Sequence, residues 1–359
     1  MYEINCIPWS LKFIFDARTS RGAIRKKETL LLKITDKSTG IIGWGECSVI
    51  KGLSADGAVD YPELLTSLET PLQKIGLNNQ PDLFKELGEI VPEKYSALRT
   101  GLETAFSDIL FGGGHKIFEG TFYQGLLKIP INGLVWMGDY DFMLQQVEEK
   151  VAQGFSCIKI KVGALDFDSE LRLLAHVRQK HGNKNLTLRL DANGAFTPEE
   201  VMKKLMALSK FDIHSIEQPV KPGLKKTLTD LSKSSPIPIA LDEEMIGITG
   251  TEDKMLLLNE IRPNYLVLKP SLHGGFASTA EWITLAKKLK IGWWVTSALE
   301  SDIGLNAIAQ FTGQYNPFLH QGLGTGKLYS NNLPSPLTLK GGAIEYDVSN
   351  PWDLRPLSS

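Results

Sequence analysis

The 359-residue sequence has few of the features that mark secreted, membrane or nucleic-acid-binding proteins. Its three cysteines, Cys6, Cys47 and Cys157, are too few and too dispersed for a disulfide framework or a zinc ribbon. The N-terminus has no signal-peptide pattern, and no apolar run approaches the roughly 18 residues that span a bilayer. The 39 basic and 41 acidic residues give a net charge of −2, which offers no footprint for nucleic acid or an anionic membrane. We therefore expect a soluble cytoplasmic protein, of an oligomeric state that the sequence does not specify.

The first hundred residues have a strand-then-helix order. Thr29–Asp36 and Gly40–Glu46 have the composition of strands, and helix-like stretches follow around Tyr61–Ile75 and Ala97–Leu110. That order is typical of an α+β domain. A glycine run at 112–114 marks a break, so we predict an α+β capping domain over residues 1–115.

From Ile129 onward, strand-like and helix-like segments alternate through eight strands, of which the last, Phe318–Gly322, is weak. An open doubly wound sheet is the main rival architecture. The single recurring period and the polar residues at most strand ends favour an α/β fold of the (β/α)7β TIM-type barrel class over residues 116–330. No eighth helix follows. A C-terminal segment, 331–359, contains a predicted hairpin at Leu337–Tyr346 that could return to the capping domain.

Charged residues end successive barrel strands at intervals of 25 to 30 residues, about the length of one strand plus its crossover helix. They are Lys161, Asp191, Glu217, Asp242 and Lys269. Because the ends of parallel strands meet at one face of a barrel, we expect these side chains to lie together at its mouth.

The three acids, Asp191, Glu217 and Asp242, would end adjacent strands. Oxygen ligands without a neighbouring histidine or cysteine suit a hard cation, so Mg²⁺ is favoured over Zn²⁺. Each acid taken alone could equally be a helix cap or a solvated loop residue. Their matched positions at three strand ends predict a metal site.

Lys159 and Lys161 lie two residues apart on one strand, so their side chains share a face. Two neighbouring ammonium groups repel, and this repulsion would lower the pKa of one lysine toward about 8, suitable for a general base. The alternative is an exposed strand edge with solvated lysines. Lys269 would lie across the mouth. Together, these residues predict removal of a proton α to a carboxylate.

At this point the sequence resembles the enolase superfamily, and within it the muconate-lactonising subgroup. The motifs DAN (191–193), EQP (217–219), ALDE (240–243) and LKP (268–270) occur in the family order, and GWGE (43–46) fits the family's capping domain. The resemblance implies that Lys161 is the base, that Lys269 stabilises the enediolate and that Lys159 tunes Lys161. It also implies that the three acids bind Mg²⁺, with Mn²⁺ as a possible substitute.

Within that subgroup, the segment SALESDIGL (297–305) is similar to the loop of the o-succinylbenzoate synthase family that seats the succinyl arm of a small carboxylate substrate. The implied activity is Mg²⁺-dependent dehydration of 2-succinyl-6-hydroxy-2,4-cyclohexadiene-1-carboxylate to o-succinylbenzoate, in menaquinone biosynthesis. Segments 131–136 and 322–325 also fit this family. The implied substrate-binding residues are Asn193, Ser297, Ser301, Arg18 and Arg21; the two arginines could equally belong to a solvated turn.

Three alternatives stay open at this stage. Dipeptide epimerases of the same superfamily usually carry a pair of aspartates after the eighth strand, whereas residues 318–327 contain no acid. An N-succinylamino acid racemase would share the same lysines and metal ligands. A non-catalytic barrel would need none of the charges at the mouth. One departure is Gly194, where some synthases place an arginine that contacts the substrate.

Overall fold

The computed structural model describes residues 1–19, 22–324 and 328–358. Within these residues, two large apolar cores share no buried residue, and the half-buried Phe84 packs against both. One core joins Leu32 to Ile109, and the other joins Ile117 to Tyr346. The cores are consistent with a division near residue 115, which we keep as a proposal.

In the described residues of the N-terminal part, a three-stranded antiparallel sheet packs with three helices. Its elements are β1 (Tyr2–Thr19), β2 (Gly22–Asp36), β3 (Ile42–Cys47), α1 (Tyr61–Leu72), α2 (Gln80–Ile90) and α3 (Ser96–Leu110). The predicted strands correspond to β2 and β3, and the predicted helices to α1 and α3. Strand β1 and helix α2 were not predicted. β1 and β2 form one long antiparallel hairpin, from Tyr2 opposite Asp36 to Thr19 opposite Gly22, and this ladder stabilises β1.

The two glycines of the GWGE segment are explained by close packing between β3 and α3. A Cβ atom on Gly43 would lie 2.0 Å from the carbonyl oxygen of Ala105, and one on Gly45 would lie 2.0 Å from that of Gly101. Only glycine therefore allows the helix to approach the strand backbone this closely. Glu46 and Cys47, which follow, are buried behind this contact.

The second part, as far as the structure describes it, is built on seven parallel strands in the spatial order β5 to β11. The strands are β5 (Gly133–Val135), β6 (Cys157–Lys161), β7 (Thr187–Asp191), β8 (Ile213–Glu217), β9 (Ile239–Leu241), β10 (Tyr265–Leu268) and β11 (Gly292–Val295). The helices that follow them are α4 (Tyr140–Ala152), α5 (Phe167–His181), α6 (Val201–Leu208), α7 (Lys225–Ser234), α8 (Thr251–Ile261), α9 (Gly275–Leu289) and α10 (Asp302–Gly313).

The predicted weak eighth strand is reduced to two bridging residues that close the sheet. Gln321 bridges to Ile131 on one side, and Gly322 bridges to Thr296 on the other. The sheet is therefore a closed barrel rather than an open one, and the predicted fold class, a (β/α)7β barrel with an N-terminal α+β domain, is confirmed.

The C-terminal hairpin differs from our expectation in its partner. Strands β12 (Leu337–Lys340) and β13 (Ala343–Tyr346) pair with each other, and β13 pairs with β4 (Ile129–Pro130) at the start of the barrel chain. The flanking residues are those that meet the N-terminal part, since Leu333 packs with Leu31. The hairpin itself is held to the barrel chain, where the Ile131 N–H also donates to the Gly342 carbonyl oxygen at 2.9 Å.

Among the described residues, no helix combines the length and the apolar character needed to cross a lipid bilayer.

Candidate active site

The strand register places the predicted charged residues in one row at the mouth of the barrel. Lys161 on β6 is paired with Asp191 on β7, and Asp191 is paired with Glu217 on β8. Asp242 directly follows β9, and Lys269 directly follows β10. Paired residues of parallel strands project to the same side, so the fold brings the five side chains together.

Lys159 and Lys161 both contact the same oxygen of Asp191. The Nζ atoms of Lys159 and Lys161 each lie 2.9 Å from Asp191 Oδ2. Lys159 also donates to Glu217 Oε2 at 2.9 Å, and Lys161 donates to Asn193 Oδ1 at 2.6 Å. Both lysines are at least nine-tenths buried. They lie inside the mouth, which excludes the alternative of a solvated strand edge.

On the opposite side of the row, Lys269 is ion-paired with Asp242 Oδ2. Lys269 and Lys161 thus contact the two outer acids, and Glu217 lies between them. Asp242 and Glu217 are 0 % and 1 % exposed, so these ion pairs are shielded from solvent.

Our expectation that repulsion between the lysines depresses a pKa is wrong for Lys159. Burial acts to lower its pKa, but the carboxylates of Asp191 and Glu217 outweigh burial and raise the pKa of Lys159 well above its ordinary value. Repulsion between the two ammonium groups is outweighed because the carboxylates of Asp191 and Glu217 lie within hydrogen-bond distance of Lys159.

The surroundings of the three acids shift their pKa values in different directions. Burial opposes ionisation of Asp191, yet Lys159 and Lys161 hold the pKa of Asp191 well below its ordinary value. Burial, reinforced by the charge of Asp191, raises the pKa of Glu217 to about 8. Burial also raises the pKa of Asp242, and Lys269 only partly offsets it. Ionisation is therefore disfavoured at Glu217 and Asp242, and a positive charge beside these two acids would favour their ionised forms.

The donor set fits a hard divalent cation, although the lysines bridge the acids in this arrangement. The described residues contain no group of three acidic, histidine or cysteine side chains already spaced to hold a metal ion. However, Glu217 Oε1 and Asp242 Oδ1 are buried and receive no hydrogen bond from any described donor. Buried carboxylate oxygens without donors are costly, and a Mg²⁺ ion coordinates such oxygens.

Asn193 is positioned by its backbone and by two polar contacts. Its φ angle is +44°, which asparagine tolerates, and its amide donates to Glu243 Oε1 at 3.0 Å while its carbonyl accepts from Lys161. Gly194 follows with a φ of +76°, and a Cβ there would lie 3.0 Å from Lys221 Cα. An arginine at this position would be strained in this backbone.

Two residues that sequence reasoning missed organise the loops around the acids. The Gln218 side chain accepts hydrogen bonds from the backbone N–H of Asp242, at 3.3 Å, and of Glu244, at 3.1 Å. It thereby ties the end of β8 to the turn after β9. Glu243 contacts Asn193, as described above. Gln218 belongs to the EQP segment and Glu243 to the ALDE segment. Neither residue ends a strand at the regular interval that identified the charged residues, so the sequence pattern did not single them out.

The predicted substrate contacts Ser297 and Ser301 lie in the loop after β11, and their hydroxyl groups contact acids. Ser297 Oγ donates to Glu300, and Ser301 Oγ donates to Glu46 Oε2 at 2.5 Å. Glu46 comes from β3 of the N-terminal part, so Ser301 links the two parts of the chain. Their role toward substrate stays a prediction.

Glu46 was missed as a candidate residue, although the GWGE segment was recognised. Its carboxylate accepts from the backbone N–H of Ser301 at 2.9 Å and of Gly304 at 3.1 Å, and from Thr29 Oγ1 at 2.9 Å. These N–H groups begin helix α10, where a negative charge is stabilised by unpaired donors. Sequence alone gave no signal for a contact that spans about 255 positions.

Arg21 lies outside the described residues, as does Thr325 at the end of the predicted segment 322–325, and the side chain of Arg18 is not described.

Comparison with known proteins places the chain in a family. Residues 143–348 match the family described as "Enolase C-terminal domain-like", which is more than half of the chain. The chain belongs to the enolase superfamily. An o-succinylbenzoate synthase of Desulfotalea psychrophila is 42% identical over 350 residues, covering 91% of this chain and 94% of that protein.

Solved structures of the superfamily share the fold. The crystal structure of MenC from Desulfotalea psychrophila has a TM-score of 0.81 and 38% identity, covering 96% of this chain and 99% of that one. A dipeptide epimerase from Cytophaga hutchinsonii, complexed with Mg and D-Ala-L-Val, has a TM-score of 0.80 at 20% identity, covering 99% and 96%. The second likeness supports the fold alone. The first confirms the subgroup that the motifs indicated.

Proposed function

We propose that this enzyme of the enolase superfamily dehydrates 2-succinyl-6-hydroxy-2,4-cyclohexadiene-1-carboxylate to o-succinylbenzoate. The main support for this proposal is the row of buried acids between Lys161 and Lys269. The chain that contains this row is 42% identical to an o-succinylbenzoate synthase over nearly its full length. Reaction at a carbon next to a carboxylate needs a base and a positive field for the developing charge, and this row contains both.

The metal ligands in this proposal are Asp191, Glu217 and Asp242. Glu217 Oε1 and Asp242 Oδ1 are the buried oxygens that lack a donor in the described residues. Mg²⁺ held there, or Mn²⁺ in its place, would supply positive charge beside the substrate carboxylate.

Lys161 removes the ring proton α to the carboxylate and then returns it to the departing hydroxyl group. The C–H and C–O bonds break, one double bond forms in the ring, and water leaves, so the product is aromatic. Lys269 stabilises the negative charge that develops on the carboxylate, and Lys159 holds Asp191 and Glu217 in place through its 2.9 Å contacts.

The same reasoning supports a cytoplasmic enzyme of menaquinone biosynthesis that acts on a small molecule. The near-neutral charge supports the absence of nucleic-acid and membrane partners.

An N-succinylamino acid racemase is the second candidate, because Lys161 and Lys269 contact acids on either side of Glu217 and could act as two bases. A dipeptide epimerase is less favoured, since residues 318–327 offer no acid for a substrate ammonium group.

The direct test is to add purified protein and Mg²⁺ to the cyclohexadiene substrate and follow the aromatic product by ultraviolet absorbance. We expect rapid conversion that a chelator stops and Asp242→Ala prevents. Absence of conversion, together with solvent deuterium entering the α-carbon of an N-succinylamino acid, would replace the dehydratase by the racemase.

A further inference from the structure

Trp136 continues the row of reactive residues, although no sequence motif assigned it a role. It directly follows β5, in which Leu134 is paired with Lys159 and Val135 with Ile160. The next residues are Trp136 and Lys161, so the register of the two strands points Trp136 to the same face of the barrel as the proposed base.

The backbone of Trp136 is held on both sides by one side chain. Gln146 on α4 accepts from the Trp136 N–H at 2.9 Å and donates to the Trp136 carbonyl oxygen at 3.0 Å. This pair of hydrogen bonds fixes the end of β5, so the indole is presented at the mouth from a rigid position.

Two aromatic residues of the N-terminal hairpin pack on the indole. The ring centroids of Phe13 and Phe15 lie 6.0 Å and 5.8 Å from that of Trp136, in edge-to-face arrangements. The hairpin is anchored there because the Ile14 N–H donates to the Leu328 carbonyl at 2.9 Å and Phe13 bridges to Tyr329. The result is an aromatic wall at the mouth, built from Phe13, Phe15 and Trp136.

The indole is 3 % exposed, and its Nε1–H has no acceptor among the described residues. A buried tryptophan normally pairs this group, because an unpaired donor away from water is unfavourable. The strand register thus places the residue with this unpaired donor next to the proposed base, which must face the carbon α to the substrate carboxylate.

We propose that Trp136 is a specificity-determining residue: its Nε1–H donates to a substrate carboxylate oxygen, and the aromatic wall packs on the planar six-membered ring. This inference rests on the proposed function. The inference adds a group that favours binding of cyclic carboxylates over binding of N-succinylamino acids. A flat ring can pack along the whole aromatic wall, whereas a flexible side chain packs on less of it.

The test compares two variants with a matched control. Trp136→Phe keeps an aromatic ring and removes the N–H, whereas Trp136→Leu removes both. Trp282→Phe is the control, since Trp282 on α9 is also buried with an unpaired Nε1 but packs in the helix layer, where Lys254 lies 5.7 Å from its ring. The measurements are calorimetric binding of o-succinylbenzoate with Mg²⁺, kcat and KM for dehydration, and the melting temperature of each protein.

We expect Trp136→Phe to weaken product binding about 10- to 100-fold, as for a lost hydrogen bond to a charged group, and the control to leave it unchanged. Trp136→Leu should weaken binding of the product further, and it should weaken binding of an N-succinylamino acid less. Unchanged product affinity in a folded Trp136→Phe would overturn the inference. If the parent protein neither binds o-succinylbenzoate nor forms it, the proposed function fails instead, so the two failures are distinguishable.

Discussion

Replacement of Glu217 by glutamine tests the electrostatics of the acid row. Glu217 is 1 % exposed, and burial with the charge of Asp191 raises the pKa of Glu217 from 4.5 to about 8. Glutamine has nearly the same shape and is always neutral, and its oxygen can still accept from Lys159. Glu217→Gln therefore resembles the protonated acid at every pH.

The sign of the effect follows from proton binding. Between about pH 4.5 and pH 8, the unfolded chain loses the Glu217 proton and the folded, metal-free protein keeps it. The folded state then binds more protons, so rising pH lowers the free energy of unfolding of the wild-type protein. The difference between 4.5 and 8 corresponds to at most about 5 kcal/mol at pH 9. Glu217→Gln should match the wild type near pH 5 and be more stable at pH 9.

Urea unfolding in the presence of a chelator, at pH 5 and pH 9, measures this difference. Mg²⁺ at 100 times its Kd should stabilise the wild type by about 2.7 kcal/mol and Glu217→Gln by much less. Glu300→Gln is the control: Glu300 is also buried with a raised pKa, caused by burial and then by Glu46, but it accepts from Ser271 at 2.7 Å. The control should keep the Mg²⁺ response. The reasoning would be refuted if Glu217→Gln were no more stable than the wild type at pH 9, or if Mg²⁺ stabilised Glu217→Gln as much as the wild type.

Three further substitutions test single roles. Lys161→Ala should lower kcat by 10²- to 10⁴-fold or more. The melting temperature should stay near the wild-type value, because Asp191 keeps its ion pair with Lys159. Near-normal steady-state rates would contradict the assignment of Lys161 as the base. Lys269→Ala should stop α-proton exchange of one N-succinylamino acid enantiomer, measured by deuterium incorporation, if the enzyme is a racemase that needs two bases. Glu46→Gln should lower the free energy of unfolding by about 1–3 kcal/mol, because an amide cannot accept hydrogen bonds from every donor around Glu46. It should also raise KM more than it lowers kcat. An unchanged KM would argue against a role of Glu46 in positioning the loop after β11.

The sequence alone predicted the fold class and the position of each charged residue at a strand end. These inferences succeeded because they depend on local patterns: the period of strand and helix, and the residue that closes each strand. Asp191, Glu217 and Asp242 could thus be assigned to one face of the barrel before any contact was known. The same local reasoning failed for Lys159, whose pKa depends on anions that other strands bring to it.

Only the tertiary structure decided the contacts between distant parts of the chain. Strand β13 of the C-terminal hairpin pairs with β4, more than 200 positions earlier. Glu46 meets Ser301, and Phe13 packs on Trp136, through the approach of the two parts. No local period encodes such pairings, because their free energy comes from burial and hydrogen bonding between surfaces that exist only after each part has folded. The sequence therefore determined which charged residues lie at the mouth, and the tertiary structure determined what surrounds them.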